Sequence, residues 1–71
     1  MLLDFLEVII ISIKEHRVRL GLLQYELACI MNVKQSTVAM WESGKSLPRT
    51  EILIKLADLF GCTIDELVRG G

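Results

Sequence analysis

Apolar residues in this 71-residue chain fall into short stripes, that is, stretches with a regular apolar spacing. Four of these stripes end at residues that readily adopt a left-handed backbone: Gly21, Asn32, Gly44 and Gly61. Within a stripe the apolar residues recur every three or four positions, as in a helix that packs one face against a core. The clearest stripe consists of Ile52, Leu53, Leu56, Ala57 and Phe60. Asn-Gly and Asp-Gly hairpin signals do not occur, and Pro48 is the single proline. The pattern predicts an all-α fold.

The first stripe predicts a helix that ends near Gly21, but its beginning is open. Its apolar face comprises Leu6, Ile9, Ile10 and Ile13, with Arg17 and Leu20 continuing the spacing. The segment EVIIISI, residues 7–13, is rich in β-branched residues and is also compatible with a short strand. Both interpretations of the first dozen residues therefore stand.

Four further helices follow from the same pattern. The second begins near Leu23 or Gln24 and stops at Asn32, and the third runs from Gln35 to Ser43. Pro48 suits the first turn of the fourth helix. A capping box, Thr63 with Glu66, starts the fifth helix, and the residues expected to pack it are Ile64, Leu67 and Val68.

The length and the 52% hydrophobic content predict one small domain over residues 1–71, with a core at 13–68. Residues 1–12 form an apolar N-terminal extension, which either lengthens the first helix over the core or provides a dimer seam. Asp4 and Glu7 interrupt this segment, and it lacks a basic leader. It is also shorter than the roughly 20 residues that span a bilayer. We expect a soluble, cytoplasmic protein that does not contact membranes.

Charge is unevenly distributed along a chain whose net charge is only −1. Residues 13–50 carry more bases than acids, whereas the stretch from Glu51 onwards carries more acids than bases. The bases of residues 13–50 are Lys14, Arg17, Arg19, Lys34, Lys45 and Arg49. A polyanionic partner would therefore bind the first of these two parts.

The residues that carry most enzyme chemistry are sparse. His16 is the only histidine, and Cys29 and Cys62 lack the paired spacing of a zinc site. Both cysteines lie in apolar helical patterns and are expected to be small buried residues. His16 is expected to be a half-buried packing residue. We expect no catalytic site, metal or cofactor.

The stretch from Gln24 to Glu42 has the form of two short helices joined by a three-residue turn, Asn32-Val33-Lys34. Leu27 and Met31 are predicted to face the core, and Ala28 is small where the two helices approach each other. Val38 and Trp41 are predicted to bury the inner side of the second of these helices. Its other side is polar, as in a helix that enters the DNA major groove.

This stretch and its surroundings resemble the helix-turn-helix family of the phage repressors and Cro, the xenobiotic-response-element (XRE) type of bacterial regulators. The resemblance covers about Ile9 to Val68 and rests on RLGLLQYELA, STVAMWESGKSLP, LIKLADLFG and TIDEL, in the family's order and spacing. It implies a compact five-helix, lambda-repressor-like domain. It also implies that the third helix reads base edges and that the second lies across the DNA backbone.

The resemblance also implies roles for individual residues. The expected base-reading residues are Gln35, Ser36, Thr37 and Met40, and the expected phosphate contacts are Gln24, Lys34, Ser43, Lys45 and Arg49. Arg17 is expected to pair with Glu42 and to fix the angle of the reading helix. Leu23 and Lys34 depart from the family because hydroxyl caps usually occupy both positions.

Two functions from different classes remain open. The first is a sequence-specific regulator that binds double-stranded DNA, expected to be a homodimeric repressor on a palindromic operator. The second is a protein-interaction or antitoxin-like module that uses the same scaffold and its apolar ends to bind a protein partner, with weak or no DNA binding. The sequence specifies neither the operator nor the dimer surface.

Overall fold

The computed structural model describes residues 5–69, and side chains are described for residues 7–68. Within that range the chain forms five helices and no strand. They are α1 (Phe5–Arg19), α2 (Gln24–Met31), α3 (Gln35–Ser43), α4 (Thr50–Phe60) and α5 (Ile64–Arg69). The all-α prediction and the predicted helix order are confirmed. The beginning of the apolar extension, residues 1–4, lies outside the described residues.

Helix α1 forms in spite of its β-branched residues, so the strand interpretation of residues 7–13 is wrong. The reason is burial: Ile9 and Ile13 are almost completely enclosed by the rest of the chain, and Ser12 is buried beside them. Packing of this kind outweighs an intrinsic preference of a few tenths of a kcal/mol per residue. The helical spacing thus determines the structure of this segment.

One hydrophobic core joins all five helices. Its buried members are Ile9, Ile13, Leu27, Ala28, Met31, Val38, Trp41, Leu56, Ala57 and Leu67. The last helix returns to pack against the first, and the fully buried Leu67 anchors it there. The core therefore holds α2 and α3 from behind while their outer sides stay in solvent.

Two turns fix the ends of α2 and α3. Asn32 has φ 59° and ψ 45°, and Val33 donates its backbone N–H to the Ala28 carbonyl at 2.9 Å, so the chain reverses sharply after α2. Gly44 has φ 82°, and a Cβ at this position would lie 2.7 Å from Ile10 Cδ1. The end of α3 consequently rests directly on α1.

Three local predictions fail. Cys29 is exposed rather than buried, and Cys62 is only half-buried. Ile64 remains 39% exposed, whereas the other two predicted residues, Leu67 and Val68, do pack α5 against the core. Pro48 is not in the first turn of α4, because that helix begins two residues later with Arg49 as its N-cap. These failures concern positions in or next to short elements, where spacing alone does not decide which side chains the core covers.

Other local predictions are confirmed. His16 is half-buried and stacks on Phe60, with the ring centroids 5.0 Å apart. The capping box of α5 is complete, because the Glu66 amide donates to Thr63 Oγ1 and the Thr63 amide donates to Glu66 Oε1, both at 3.0 Å. The ring contact joins α1 to the end of α4, and the capping box stabilises the first turn of α5.

Candidate nucleic-acid interface

Helices α2 and α3 pack closely against each other and are joined by a three-residue turn. The contact is close because Ala28, which is 3% exposed, presents only a methyl group, and because Leu27 is fully buried beneath it. Two short helices joined in this way make a helix-turn-helix, and the second helix is the one that can enter a groove of DNA.

The outer side of α3 is formed by Ser36, Met40 and Ser43, which follow a spacing of four and three residues and are all exposed. Gln35 is exposed at the front of the helix, and Thr37 is half-buried on its flank. The four residues expected to read bases thus all have atoms accessible to solvent. Met40 is the least polar of them and is 38% exposed.

The inner side of α3 fixes its position. Val38 is fully buried and Trp41 is 3% exposed, so the helix cannot rotate without uncovering both side chains. Trp41 is a core residue rather than a surface for stacking bases. Rotation about the helix axis is the movement that would misplace the outer residues, and the core opposes it.

Exposed cations stand around α3. Lys34 precedes its first residue and makes no hydrogen bond as a cap, and Lys45 follows its end. Arg49 is exposed just before α4. These three residues flank α3 along the chain, and their exposed positive charges favour a polyanionic partner.

A buried ion pair joins α1 to the end of α3. Arg17 Nε donates to Glu42 Oε2 at 2.6 Å and Arg17 Nη2 donates to Glu42 Oε1 at 3.0 Å, with the two side chains only 11% and 5% exposed. The remaining guanidinium nitrogen, Nη1, donates to the Leu22 carbonyl at 2.7 Å. The fork geometry of arginine makes this three-way contact possible and fixes α3 relative to α1.

Gln24 belongs to the same network, and the sequence does not predict its bond to Glu42. Its Nε2 donates to Glu42 Oε1 at 3.1 Å, so the expected phosphate contact is bonded to the buried carboxylate. A glutamine and a glutamate 18 residues apart carry no spacing signal, because their contact depends on how α2 and α3 pack. No sequence pattern therefore predicts this bond.

The first turn of α2 is stabilised without a hydroxyl cap. Leu23 has no side-chain acceptor, but its backbone N–H donates to Glu26 Oε1 at 2.8 Å. This bond is one half of a capping box, and the glutamate three residues after the cap is the signal by which it can be recognised. Leu23 itself is 57% exposed.

Other kinds of site find no support in the part of the chain that the structure describes. No three side chains of His, Cys, Asp or Glu come together there in a way that could hold a metal ion. None of its helices combines the length and the apolar character needed to cross a membrane.

The two displaced pKa values belong to the capping box of α5 and its neighbour. Hydrogen bonds from Thr63 lower the pKa of Glu66, and burial and the Glu66 charge raise that of Cys62.

The fold and the exposed side of α3 define a helix-turn-helix domain, and comparison with known proteins gives the same class. Residues 13–67 match the family model described as helix-turn-helix. The chain belongs to this family of DNA-binding transcriptional regulators, of the XRE type.

Several relatives have names of the same class. Over 59 residues the chain is 36% identical to the HTH-type transcriptional activator BcrR of Enterococcus faecalis, covering 83% of this chain but only 29% of that protein. It is 34% and 33% identical, each over 55 residues, to two uncharacterized HTH-type transcriptional regulators of Archaeoglobus fulgidus. These matches cover 78% of this chain and 79% and 78% of the two proteins. No solved structure matches significantly.

Proposed function

We propose that this protein is a sequence-specific regulator that binds double-stranded DNA as a homodimer on a palindromic operator. Two copies would place α3 in successive major grooves, with half-sites about 34 Å apart. Occupancy of the operator would repress transcription by blocking access. Repression requires only a bound protein, whereas activation also requires a surface for the transcription machinery.

The observation that carries this proposal is the division of α3 into two sides. Val38 and Trp41 are buried and fix the helix, while Gln35, Ser36 and Met40 project into solvent. A rigid helix with an exposed polar side has the dimensions of the major groove.

The chemistry of the exposed residues suits base edges. Gln35 can make two hydrogen bonds with adenine, and Ser36 and Thr37 can donate or accept according to the base. Met40 would contact a thymine methyl group. A site in which A·T pairs lie opposite Gln35 and Met40 is therefore expected in each half-operator.

The remaining roles concern phosphates. Lys34, Lys45 and Arg49 are exposed cations, and the Gln24 carboxamide lies at the start of α2. Ser43 Oγ donates to the Met40 carbonyl at 3.2 Å, so its hydroxyl must rotate before it can donate to a phosphate. These contacts would set the position of the domain on DNA without reading sequence.

Selection from a random duplex library tests the proposal. We expect enrichment of a palindrome, and we expect Gln35→Ala to relax the preference at one position of each half-site by about 1 to 3 kcal/mol. Ile54→Ala, which changes an exposed residue of α4, is the matched control and should leave the selected sequence unchanged. Absence of enrichment at low salt would reject the proposal.

A second candidate is an interaction module that binds a protein partner. It is favoured by Val18, Leu20 and Leu23, three large apolar residues between 47% and 57% exposed at the end of α1 and the start of α2. The same selection separates the two functions, because this module would enrich no duplex.

A further inference from the structure

The hydrogen bond between Gln24 and Glu42 connects the residue at the start of α2 with the last turn of α3. We propose that Glu42 is a positioning residue for DNA binding, which holds the Gln24 carboxamide by one N–H so that the other N–H is presented to a phosphate. This inference rests on the proposed function and adds to it the element that orients the phosphate contact.

The geometry of a carboxamide makes both contacts possible at once. Its nitrogen carries two hydrogens in one plane, about 120° apart, and Glu42 Oε1 accepts only one of them. The second hydrogen and the Gln24 oxygen remain available, and the side chain is only half-buried. Binding a phosphate therefore does not require Gln24 to leave Glu42.

The electrostatics also permit a phosphate to approach. An isolated carboxylate beside Gln24 would repel a phosphate, but Arg17 donates two hydrogen bonds to this carboxylate and makes the pair neutral overall. Because Arg17 also holds the Leu22 carbonyl, the acceptor for Gln24 is fixed in place before DNA arrives. The carboxylate thus orients the carboxamide without opposing the DNA.

Ordering the Gln24 side chain before DNA binds should lower the Kd by a measurable factor. A side chain that is already ordered does not lose its rotamer freedom when the complex forms, and this corresponds to about a three- to tenfold lower Kd. The same bond connects the phosphate contact to α3, so a phosphate bound at Gln24 would be held at a set position relative to the reading helix.

A double-mutant cycle on the selected operator tests this inference. Glu42→Asp keeps the charge opposite Arg17 but shortens the side chain away from Gln24, and Gln24→Met keeps the length of residue 24 without its hydrogen bonds. Because the shortened carboxylate also moves away from Arg17, part of its effect is common to both backgrounds. We expect Glu42→Asp to raise Kd about three- to tenfold more in the natural background than once Gln24 is methionine. A merely structural role for Glu42 would raise Kd equally in both backgrounds and would overturn the inference.

Lys45→Met supplies the matched control, because Lys45 is exposed, whereas the side chains that hydrogen-bond Glu42 are those of Arg17 and Gln24. Combined with Glu42→Asp, its effect should be additive. All variants are compared at a temperature where thermal unfolding shows them folded.

Side-chain NMR of the natural protein keeps the inference testable if Glu42→Asp does not fold. When operator is added, the Gln24 amide proton bound to Glu42 should keep its shift while the other amide proton moves. Movement of both would overturn the inference. Failure to select any operator rejects the proposed function, whereas additive variants on a good operator reject only the role of Glu42.

Discussion

At the scale of single residues, the Arg17 side chain connects two distant parts of the chain. It joins Glu42 and the Leu22 carbonyl while only 11% of its side chain is exposed. Arg17→Met should lower the free energy of unfolding by about 3 to 5 kcal/mol, because a buried carboxylate loses its partner. Denaturant unfolding followed by circular dichroism measures this loss.

Arg19→Met is the matched control, since Arg19 lies on the same helix and is exposed. Its effect on the free energy of unfolding should stay within about 0.5 kcal/mol.

Changing both partners, Arg17→Met with Glu42→Met, should recover much of the stability because no charge is left buried. A double variant as unstable as Arg17→Met would show that the cost comes from lost packing rather than from the unpaired carboxylate.

At this scale, a contact can be predicted from the sequence more easily when the two residues lie close together along the chain. The resemblance implied the pairing of Arg17 with Glu42, but neither spacing nor resemblance pointed to Gln24 as a third member. Exposure of Cys29 was also mispredicted, because it depends on which side of a two-turn helix meets the core. Contacts between distant residues of short helices require the packed structure.

At the scale of elements, the short helix α5 depends on its capping box and on one buried leucine. Hydrogen bonds from the Thr63 backbone and side chain lower the pKa of Glu66 in the folded protein. A carboxyl with a lowered pKa stabilises the fold when ionised, so this contribution is present above the unfolded pKa and is lost as the pH falls through the folded pKa. We therefore expect the first turn of α5 to loosen as the pH falls through the folded pKa of Glu66.

Thr63→Ala removes the hydroxyl and leaves the backbone bond, so the Glu66 pKa should rise part of the way toward its ordinary value. Carboxyl NMR titration measures the pKa, and amide exchange in α5 measures the loosening. Thr50→Ala, an exposed threonine at the start of α4, should change neither. An unchanged Glu66 pKa in Thr63→Ala would contradict the assigned cause.

Elements with local signals were predicted well from the sequence. The capping box of α5 and the turn at Asn32 both depend on residues within five positions of one another, so their chemistry is visible in the chain itself. The beginning of α1 was ambiguous because β-branched residues favour a strand, and only burial of Ile9 and Ile13 resolves it. The structure of this segment is therefore determined by tertiary packing rather than by local preference.

At the scale of the whole molecule, net charge is a poor guide to the partner, and the placement of charges is a better one. Arg17 is neutralised by Glu42 in the core, so it contributes no charge to an interface. Lys34, Lys45 and Arg49 remain exposed around α3, whereas Glu51 and Asp58 are exposed on α4. A chain of net charge −1 can thus present a positive side to DNA.

The salt dependence of operator binding tests this arrangement. Each cation that neutralises a phosphate contributes about 0.9 to the slope of log affinity against log salt. Lys34→Met, Lys45→Met and Arg49→Met should each reduce the slope by about that amount per protomer and weaken binding to all sequences alike. Lys55→Met changes an exposed cation of α4 and alters net charge equally, yet it should leave the slope unchanged. An equal reduction for Lys55→Met would mean that total charge, rather than the cations around α3, governs binding.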